Sequence, residues 1–143
     1  MQFWYFSAFV LVALATSSCI TDGLSSARRT NPNVAQASIS VPAGKTTKID
    51  QYSFITPRCT EVPGVSSSVT RRAGYGTVSI QRGRDYSPFP AGNSSARCNS
   101  QRVPVWVVLY SPARGYAGSD RFSYRKAFPD GRAIDVNVNV DVR

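Results

Sequence analysis

At 143 residues the chain has room for one ordinary domain, and its 17 Lys and Arg outnumber its 8 Asp and Glu, for a net charge of +9. Arginine supplies 14 of these 17 cations, which favours anionic partners, because the planar guanidinium pairs with carboxylate, sulfate or phosphate, although a basic surface can also serve solubility alone. Histidine is absent, which excludes Ser-His-Asp and Cys-His catalytic arrangements and an imidazole base.

The first 19 residues have the pattern of an export leader. The sequence is almost wholly apolar from residue 3 to residue 15 and then becomes small and polar, as in a signal peptide, although no Lys or Arg precedes the apolar run. About 13 apolar residues are too few for a membrane span, which needs about 20. Cleavage after Ala15 fits the small-x-small rule, whereas LATSSC resembles a bacterial lipobox that would place a lipid on Cys19. A retained anchor is the third alternative.

Residues 20–35 are polar and contain Gly, Ser, Asn and Pro without an apolar period, which predicts a flexible linker. From residue 36 to residue 143 the sequence consists of short alternating runs separated by turn residues. This sequence pattern is typical of an all-β sandwich or barrel. We therefore predict a leader (1–19), a linker (20–35) and a single β domain (36–143).

Cys59 and Cys98 remain as a pair once Cys19 is assigned to the leader. In an oxidising compartment two thiols in a small domain typically form a disulfide. A zinc site needs more ligands than two cysteines can supply without histidine. We predict a Cys59–Cys98 disulfide over a metal site or free thiols, and this pairing supports export to the periplasm or the cell surface.

Seven strands are predicted in the domain, one of them weakly. VPVWVVLY is apolar on both faces, which predicts a strand in the middle of a sheet with side chains packed on each side. The predicted strands are ASISV (37–41), TTKIDQYSFI (46–55), a weak run near 65–71, GTVSIQ (76–81), VPVWVVLY (103–110), RFSYRKA (121–127) and IDVNVNVDVR (134–143).

The last predicted strand alternates strictly between apolar and polar residues. Ile134 and four valines occupy one face, and Asp and Asn occupy the other, as in a half-buried strand. The order D-x-N-x-N also begins an EF-hand calcium loop, but that loop needs glycine at its sixth position, where this chain has Val140. We predict a strand here and no metal site or cofactor in the protein.

The segment YSPARGYAGSDRFSY (110–124), followed by the Asp130-Gly131 turn and the alternating valines, resembles the repeat of bacterial cadherin-like and Ig-like domains of surface proteins. Those domains carry Y-x-P-x-x-G-F-x-G-x-D-x-F-x-Y, and GYGTVSI (74–80) resembles their earlier G-T-V strand. The resemblance implies an Ig-like antiparallel β-sandwich of about seven strands, and a fold does not determine an activity. This chain departs from the family in having one copy, a cysteine pair and a basic composition. The last departure argues against calcium binding between repeats, which needs clustered carboxylates.

The residues of this segment also have roles that follow from physical chemistry. Pro112 ends a strand because it cannot donate to the ladder, and Gly115 and Gly118 permit positive φ in the connection that follows. Asp120 is expected to accept backbone N–H bonds and to fix the end of the turn. The rings expected to fill the core are those of Tyr116, Phe122 and Tyr124.

The residues needed for catalysis are largely missing. A glycoside hydrolase uses a pair of carboxylates, but most of the acidic residues fall in predicted turns or on a solvent-facing strand. An oxidised cysteine pair offers no thiolate nucleophile, and no glycine-rich phosphate loop with its lysine is present. We predict that the protein is not an enzyme, and a small hydrolase is the weakest alternative.

Two arginine pairs flank the GYGTVSI strand, with tyrosines close by in sequence. The predicted anion-binding residues are Arg71, Arg72, Arg82 and Arg84. The pairs lie at opposite ends of the strand, so they form one surface only if the loops fold toward each other. Tyr and Arg dominate recognition hot spots, whereas the alternative is that these arginines are solvated loop charges.

We therefore predict an exported, non-enzymatic Ig-like binding or structural module of the bacterial cell envelope. Its expected partner is an anionic envelope polymer, contacted through the arginine-rich surface. The alternative is an inhibitor or accessory subunit that docks on another periplasmic protein. Nucleic acid would be attracted by the same charge, but it is not expected as a partner because an exported protein rarely meets it.

Overall fold

The computed structural model describes residues 33–143. The predictions for the leader (1–19), for Cys19 and for the linker up to residue 32 lie outside the described residues. The elements in chain order are β1 (Val34–Val41), β2 (Thr47–Tyr52), β3 (Ser66–Arg71), β4 (Gly76–Asp85), a 3-10 helix (Ala96–Ser100), β5 (Val103–Pro112), β6 (Gly118–Ala127) and β7 (Ala133–Val142). Strand β1 thus begins two residues before the predicted start of the domain. Within residues 33–143, no helix has the length and apolar character to cross a membrane.

The seven strands form two sheets, in the orders β1-β7-β6-β3 and β2-β5-β4. This topology confirms the predicted all-β, Ig-like sandwich of seven strands. Of the five strand pairs formed within residues 33–143, four are antiparallel. The exception is β1 with β7, a parallel pair in which Val34 lies opposite Asp135 and Val41 lies opposite Val142.

The main core lies between the two sheets and follows the alternation of the sequence. On β7 the valines at positions 136, 138, 140 and 142 are all buried, which confirms the predicted strand. Phe122 and Tyr124 are buried in the same core, whereas Tyr116 is half-buried and packs against its edge. The other fully buried members of this core are Val41, Val108 and Tyr110.

Strand β5 buries valines on both of its faces. Val108 faces the main core, and the alternating residues Val103 and Val105 belong to a second, smaller core on the opposite face. Because β5 is the central strand of its sheet, this arrangement confirms the prediction made from VPVWVVLY.

A disulfide closes the second core. Cys59, in the β2–β3 connection, is bonded to Cys98, in the 3-10 helix, with their Cα atoms 5.6 Å apart. The second core contains this bond, the two β5 valines and partly buried Ile55. The predicted pairing is therefore confirmed, and the bond fastens two long connections over the outer face of the three-stranded sheet.

The sandwich has two ends with different connections. The Tyr75 end carries the β1–β2, β3–β4 and β5–β6 connections, at 42–46, 72–75 and 113–117. The disulfide end carries the β2–β3, β4–β5 and β6–β7 connections, at 53–65, 86–102 and 128–132.

Candidate functional site

The β3–β4 connection at the Tyr75 end is held by one buried carboxylate. Asp120 is 6% exposed, and its Oδ1 accepts the N–H groups of Gly74 at 2.8 Å and of Arg121 at 2.7 Å. Its Oδ2 accepts the N–H of Tyr75 at 2.9 Å and the hydroxyl of Tyr110 at 2.8 Å. Asp120 thus accepts backbone N–H bonds as predicted, and two of them come from a loop that is distant in sequence.

These hydrogen bonds keep Asp120 ionised. Burial raises the pKa of the carboxyl, but the N–H groups of Tyr75 and Gly74, the Tyr110 hydroxyl and the N–H of Arg121 outweigh it and hold the pKa below its usual value. Burial and the bond to Asp120 raise the pKa of Tyr110. The site therefore contains an anion whose charge is already satisfied by four donors.

Gly76 allows the loop to lie directly on the core. A Cβ atom at this position would lie 2.6 Å from the Cε2 and Cζ atoms of the Tyr110 ring. Only glycine permits this close approach without a shift of the ring. The backbone of the loop is consequently fixed both by Asp120 and by contact with a fully buried tyrosine.

This fixed loop presents an aromatic ring to solvent. The Tyr75 ring stacks on the Tyr116 ring, with centroids 4.4 Å apart and an interplanar angle of 4°, and the Tyr116 hydroxyl donates to the carbonyl of Ser119 at 2.7 Å. Tyr75 is nevertheless 55% exposed. One face of its ring is covered, and the side chain is held in position for contact with a partner.

Three arginines line a shallow depression beside this ring. Arg71 lies opposite Ser123 in the β3–β6 register, two residues along β6 from Arg121. Arg71, Arg72 and Arg121 share a depression of about 240 Å³ with Tyr75. None of the three forms an ion pair with a carboxylate of residues 33–143. Their guanidinium groups are available to an anionic ligand.

The depression continues onto the polar outer face of the four-stranded sheet. A neighbouring depression of about 260 Å³ shares Arg71 and Arg121, and Gln36, Ser123, Asn137 and Asn139 also line it. The Ser123 hydroxyl donates to Oδ1 of Asn137 at 2.7 Å. This orientation leaves the amide nitrogen of Asn137 facing away from that bond. Along this surface, the aromatic ring of Tyr75 is followed by guanidinium groups and then by amide side chains.

Other arginines of this sheet are paired. Arg125 donates to both carboxylate oxygens of Asp135, at 2.7 and 2.8 Å. Arg143 donates to Asp141 at 2.8 Å and to Ser40 at 2.8 Å. The positive charge of the outer face is therefore concentrated on the unpaired arginines near Tyr75.

The four predicted anion-binding arginines are divided between the two ends of β4. Arg71 and Arg72 are at the Tyr75 end, and Arg82 lies roughly 20 Å along β4 at about 3.3 Å per residue. Arg82 pairs with Glu61 and lies 5.1 Å above the Trp106 ring. Arg84 donates to the carbonyl of Arg102 at 2.9 Å. The four do not form one surface.

Sequence reasoning missed Arg121 as a member of the site. The alternation of RFSYRKA placed its side chain on the solvent face, but only the pairing of β3 with β6 brings it beside Arg71. That pairing joins residues about 50 positions apart, so no local pattern signals it.

A second cluster of titratable groups lies between the sheets toward the disulfide end. Lys126 Nζ lies 2.7 Å from Asp50 Oδ2 and 4.0 Å above the Tyr52 ring, and the Tyr124 hydroxyl donates to Asp50. Burial raises the pKa of Tyr52 to about 12. The lysine and the carboxylate satisfy each other, so this cluster joins the sheets and offers no free charge.

The described residues show no arrangement for metal chemistry. No group of three or more Cys, Asp or Glu side chains in residues 33–143 could hold a metal ion. The site near Tyr75 can stack on a ring, pair with an anion and form hydrogen bonds. Each of these interactions can hold a ligand.

Comparisons with known proteins assign no family. No family model matches the sequence, and no curated protein matches it. Among solved structures, the chain is 13% identical to amebosin, with a TM-score of 0.40 and coverage of 79% of this chain and 100% of that chain. It is 10% identical to the cysteine protease inhibitor EhICP2 from Entamoeba histolytica, with a TM-score of 0.43 and coverage of 78% and 94%. Similarities this low carry no argument about function.

Proposed function

We propose that the protein is an exported, non-enzymatic Ig-like binding module that contacts an anionic polymer of the cell envelope. The observation that supports this proposal most directly is the convergence of Arg71, Arg72 and Arg121 on one depression, where none of them forms an ion pair with a carboxylate of residues 33–143. The Asp120 carboxylate also lines this depression, but four other donors already bind it. The net charge of +9 adds a long-range attraction for polyanions. This site contains Arg71 and Arg72 of the four predicted arginines, whereas Arg82 lies at the other end of β4 and pairs with Glu61.

The physical chemistry of exposed arginines sets the expected strength of binding. A single exposed ion pair contributes about 0 to 1 kcal/mol, because water and salt screen it. Several guanidiniums acting together on a polymer also release its condensed counterions, and the logarithm of the affinity then falls linearly with the logarithm of salt concentration. We expect moderate affinity at low salt and a steep loss as salt increases.

Export to the periplasm or the cell surface is part of this proposal. It is supported by the signal-like pattern of residues 1–19 and by the Cys59–Cys98 disulfide, since such bonds persist in oxidising compartments. The resemblance to bacterial surface domains points the same way. The proposal includes three alternatives for the leader: lipidation at Cys19, simple secretion and a retained anchor.

A pair of charge-matched double variants tests the arginine site. Arg71→Gln with Arg121→Gln removes two cations from the depression, and Arg58→Gln with Arg97→Gln removes two exposed cations from the disulfide end. On immobilised dextran sulfate, we expect the first variant to elute at clearly lower salt. The slope of log affinity against log salt should also fall by about 2. Equal shifts for both variants would show that binding follows net charge alone and would refute the site.

Docking on another protein is the second candidate function. It is favoured by the exposed Tyr75 next to Arg71 and Arg72, since Tyr and Arg are enriched in interface hot spots. Salt dependence separates the two functions. Contact with a polyanion weakens steeply at high salt, whereas an interface with an apolar centre keeps its affinity.

A further inference from the structure

We infer that the arginine site takes an acidic oligosaccharide, with one sugar ring on Tyr75 and its acidic group on Arg71 and Arg121. This inference rests on the proposed function, because it names the class of anion that the same depression binds. It adds a role for the aromatic ring and for the amides of the sheet, which a site for bare phosphate does not use.

The orientation of Tyr75 is the first reason to infer a sugar ligand. Its ring stacks in parallel on Tyr116 at 4.4 Å, its N–H is held by Asp120 at 2.9 Å, and it is 55% exposed. A ring held in this way loses little conformational freedom when a ligand covers it. The C–H face of a pyranose is a flat apolar surface of similar size, and stacking on Tyr75 would remove both surfaces from water.

The arginines next to Tyr75 are the reason to infer that the sugar is acidic. Arg71, Arg72 and Arg121 line the same depression as Tyr75, so a sugar on the ring has its substituents within reach of the guanidiniums. A carboxylate or sulfate can accept two parallel hydrogen bonds from a single guanidinium. A polymer that has charge but no rings could use the arginines, but it would leave Tyr75 in water.

The amides of the second depression are the reason to infer a ligand of more than one sugar residue. This depression shares Arg71 and Arg121 with the first and extends to Gln36, Asn137 and Asn139. Amide side chains both donate and accept hydrogen bonds, as sugar hydroxyls do. Two adjoining depressions, of about 240 and 260 Å³, therefore fit a chain of at least two sugar residues better than a single ion.

Single-stranded nucleic acid is the macromolecule that most resembles this ligand in chemistry. Its binding sites combine a basic groove with a succession of aromatic rings, one for each stacked base. Here Tyr75 supplies the one exposed ring among the lining residues, because Phe122 is buried in the core. Amides, hydroxyls and guanidiniums form most of the remaining polar lining, and the Asp120 carboxylate is already bound by four donors. The composition favours a saccharide, and an oligonucleotide serves as a competing probe.

The test measures the affinities of four probes by isothermal titration calorimetry. The probes are an oligogalacturonate, a chondroitin sulfate oligosaccharide, a polyphosphate of similar total charge, and a single-stranded oligothymidylate. The variants are Tyr75→Ala and a matched control, Tyr86→Ala, because Tyr86 is equally exposed, at 53%, and lies at the disulfide end. The oligogalacturonate carries carboxylates alone and the chondroitin sulfate carries sulfates in addition, so tighter binding of the second probe would indicate a contribution of sulfate.

We expect Tyr75→Ala to weaken binding of at least one acidic saccharide by about tenfold or more and to change polyphosphate affinity by less than twofold. Tyr86→Ala should leave all affinities unchanged. Tyr75→Phe keeps the ring and should bind within about threefold of the parent, which controls for a folding defect. Asn139→Ala should weaken saccharide binding several-fold without altering the ring.

Three outcomes overturn the inference in different ways. Equal affinity for polyphosphate and the saccharides, with no effect of Tyr75→Ala, refutes the saccharide and leaves the polyanion function standing. A larger effect of Tyr75→Ala on the oligothymidylate than on either saccharide identifies nucleic acid instead. Absence of binding to all four probes by the parent protein refutes both the inference and the proposed function.

Discussion

Replacing Asp120 with asparagine is expected to lower the free energy of unfolding by about 3 kcal/mol. The amide can keep the bonds to Gly74 and Arg121 at one oxygen, but its nitrogen then faces the N–H of Tyr75 and the hydroxyl of Tyr110. The hydroxyl can turn and accept, whereas the Tyr75 N–H loses its acceptor. An unsatisfied buried donor costs about 1 to 3 kcal/mol, and the retained bonds lose their ionic character at about 1 kcal/mol each.

The effect should depend on pH in a defined direction. The pKa of Asp120 is lowered below its ordinary value of 3.8 in the folded protein. A carboxyl with a lowered pKa contributes stability that is present above the unfolded pKa and is lost as pH falls through the folded pKa. The difference between the parent and the Asp120→Asn variant should therefore be constant above about pH 5 and shrink below about pH 4.

Urea unfolding followed by the fluorescence of half-buried Trp106 measures both effects. Asp141→Asn is the matched control, because its carboxylate pairs with Arg143 at the surface, and its loss should cost less than about 1 kcal/mol. A loss for Asp120→Asn that matches this control would refute the role assigned to Asp120. An equal loss at pH 3 and pH 7 would refute the attribution to charge.

Two further changes test the second core and the close approach of the β3–β4 loop. Cys59→Ser with Cys98→Ser should lower the free energy of unfolding by about 4 kcal/mol, from the chain entropy released when a bond across 39 positions is lost. Reduction of the parent protein with dithiothreitol should lower the free energy of unfolding in urea by the same amount. A change below about 1 kcal/mol would contradict the prediction. Gly76→Ala should cost about 3 kcal/mol, because its Cβ would lie 2.6 Å from the Tyr110 ring. Gly83→Ala on the same strand, with no atom nearer than 3.8 Å, should change the melting temperature little, and equal melting temperatures for the two variants would rule out the steric argument.

The fold followed from patterns that are local in the chain. The alternation of β7 predicts a strand with one buried face, because successive side chains of an extended chain point to opposite sides. The apolar run of β5 predicts a central strand, because only such a strand is covered on both faces. Both predictions depend on the local sequence of a single strand and on the opposite orientation of successive side chains, and both are confirmed.

The composition of the candidate site depends on strand pairing and ion pairing between residues far apart in sequence, which no local pattern predicts. Arg121 meets Arg71 only through the β3–β6 register, and Arg82 is neutralised by Glu61, which is 21 positions away. The sequence predicts Arg71 and Arg72 as anion-binding residues, and both line the candidate depression. It could not decide which other arginines join them, because that depends on how strands from different parts of the chain are ordered in the sandwich.

The parallel pairing of β1 with β7 also determines where the segment before Val34 lies relative to the candidate site. The chain enters β1 at Val34, at the disulfide end, and its eight residues carry it roughly 25 Å toward the Tyr75 end at about 3.3 Å per residue. Gln36 and Ser38 of β1 share rows of the sheet with Arg71 and Arg121, so the chain before Val34 joins the domain close to the candidate site. A ligand bound at the depression would therefore lie near the point where a tether before Val34 is attached.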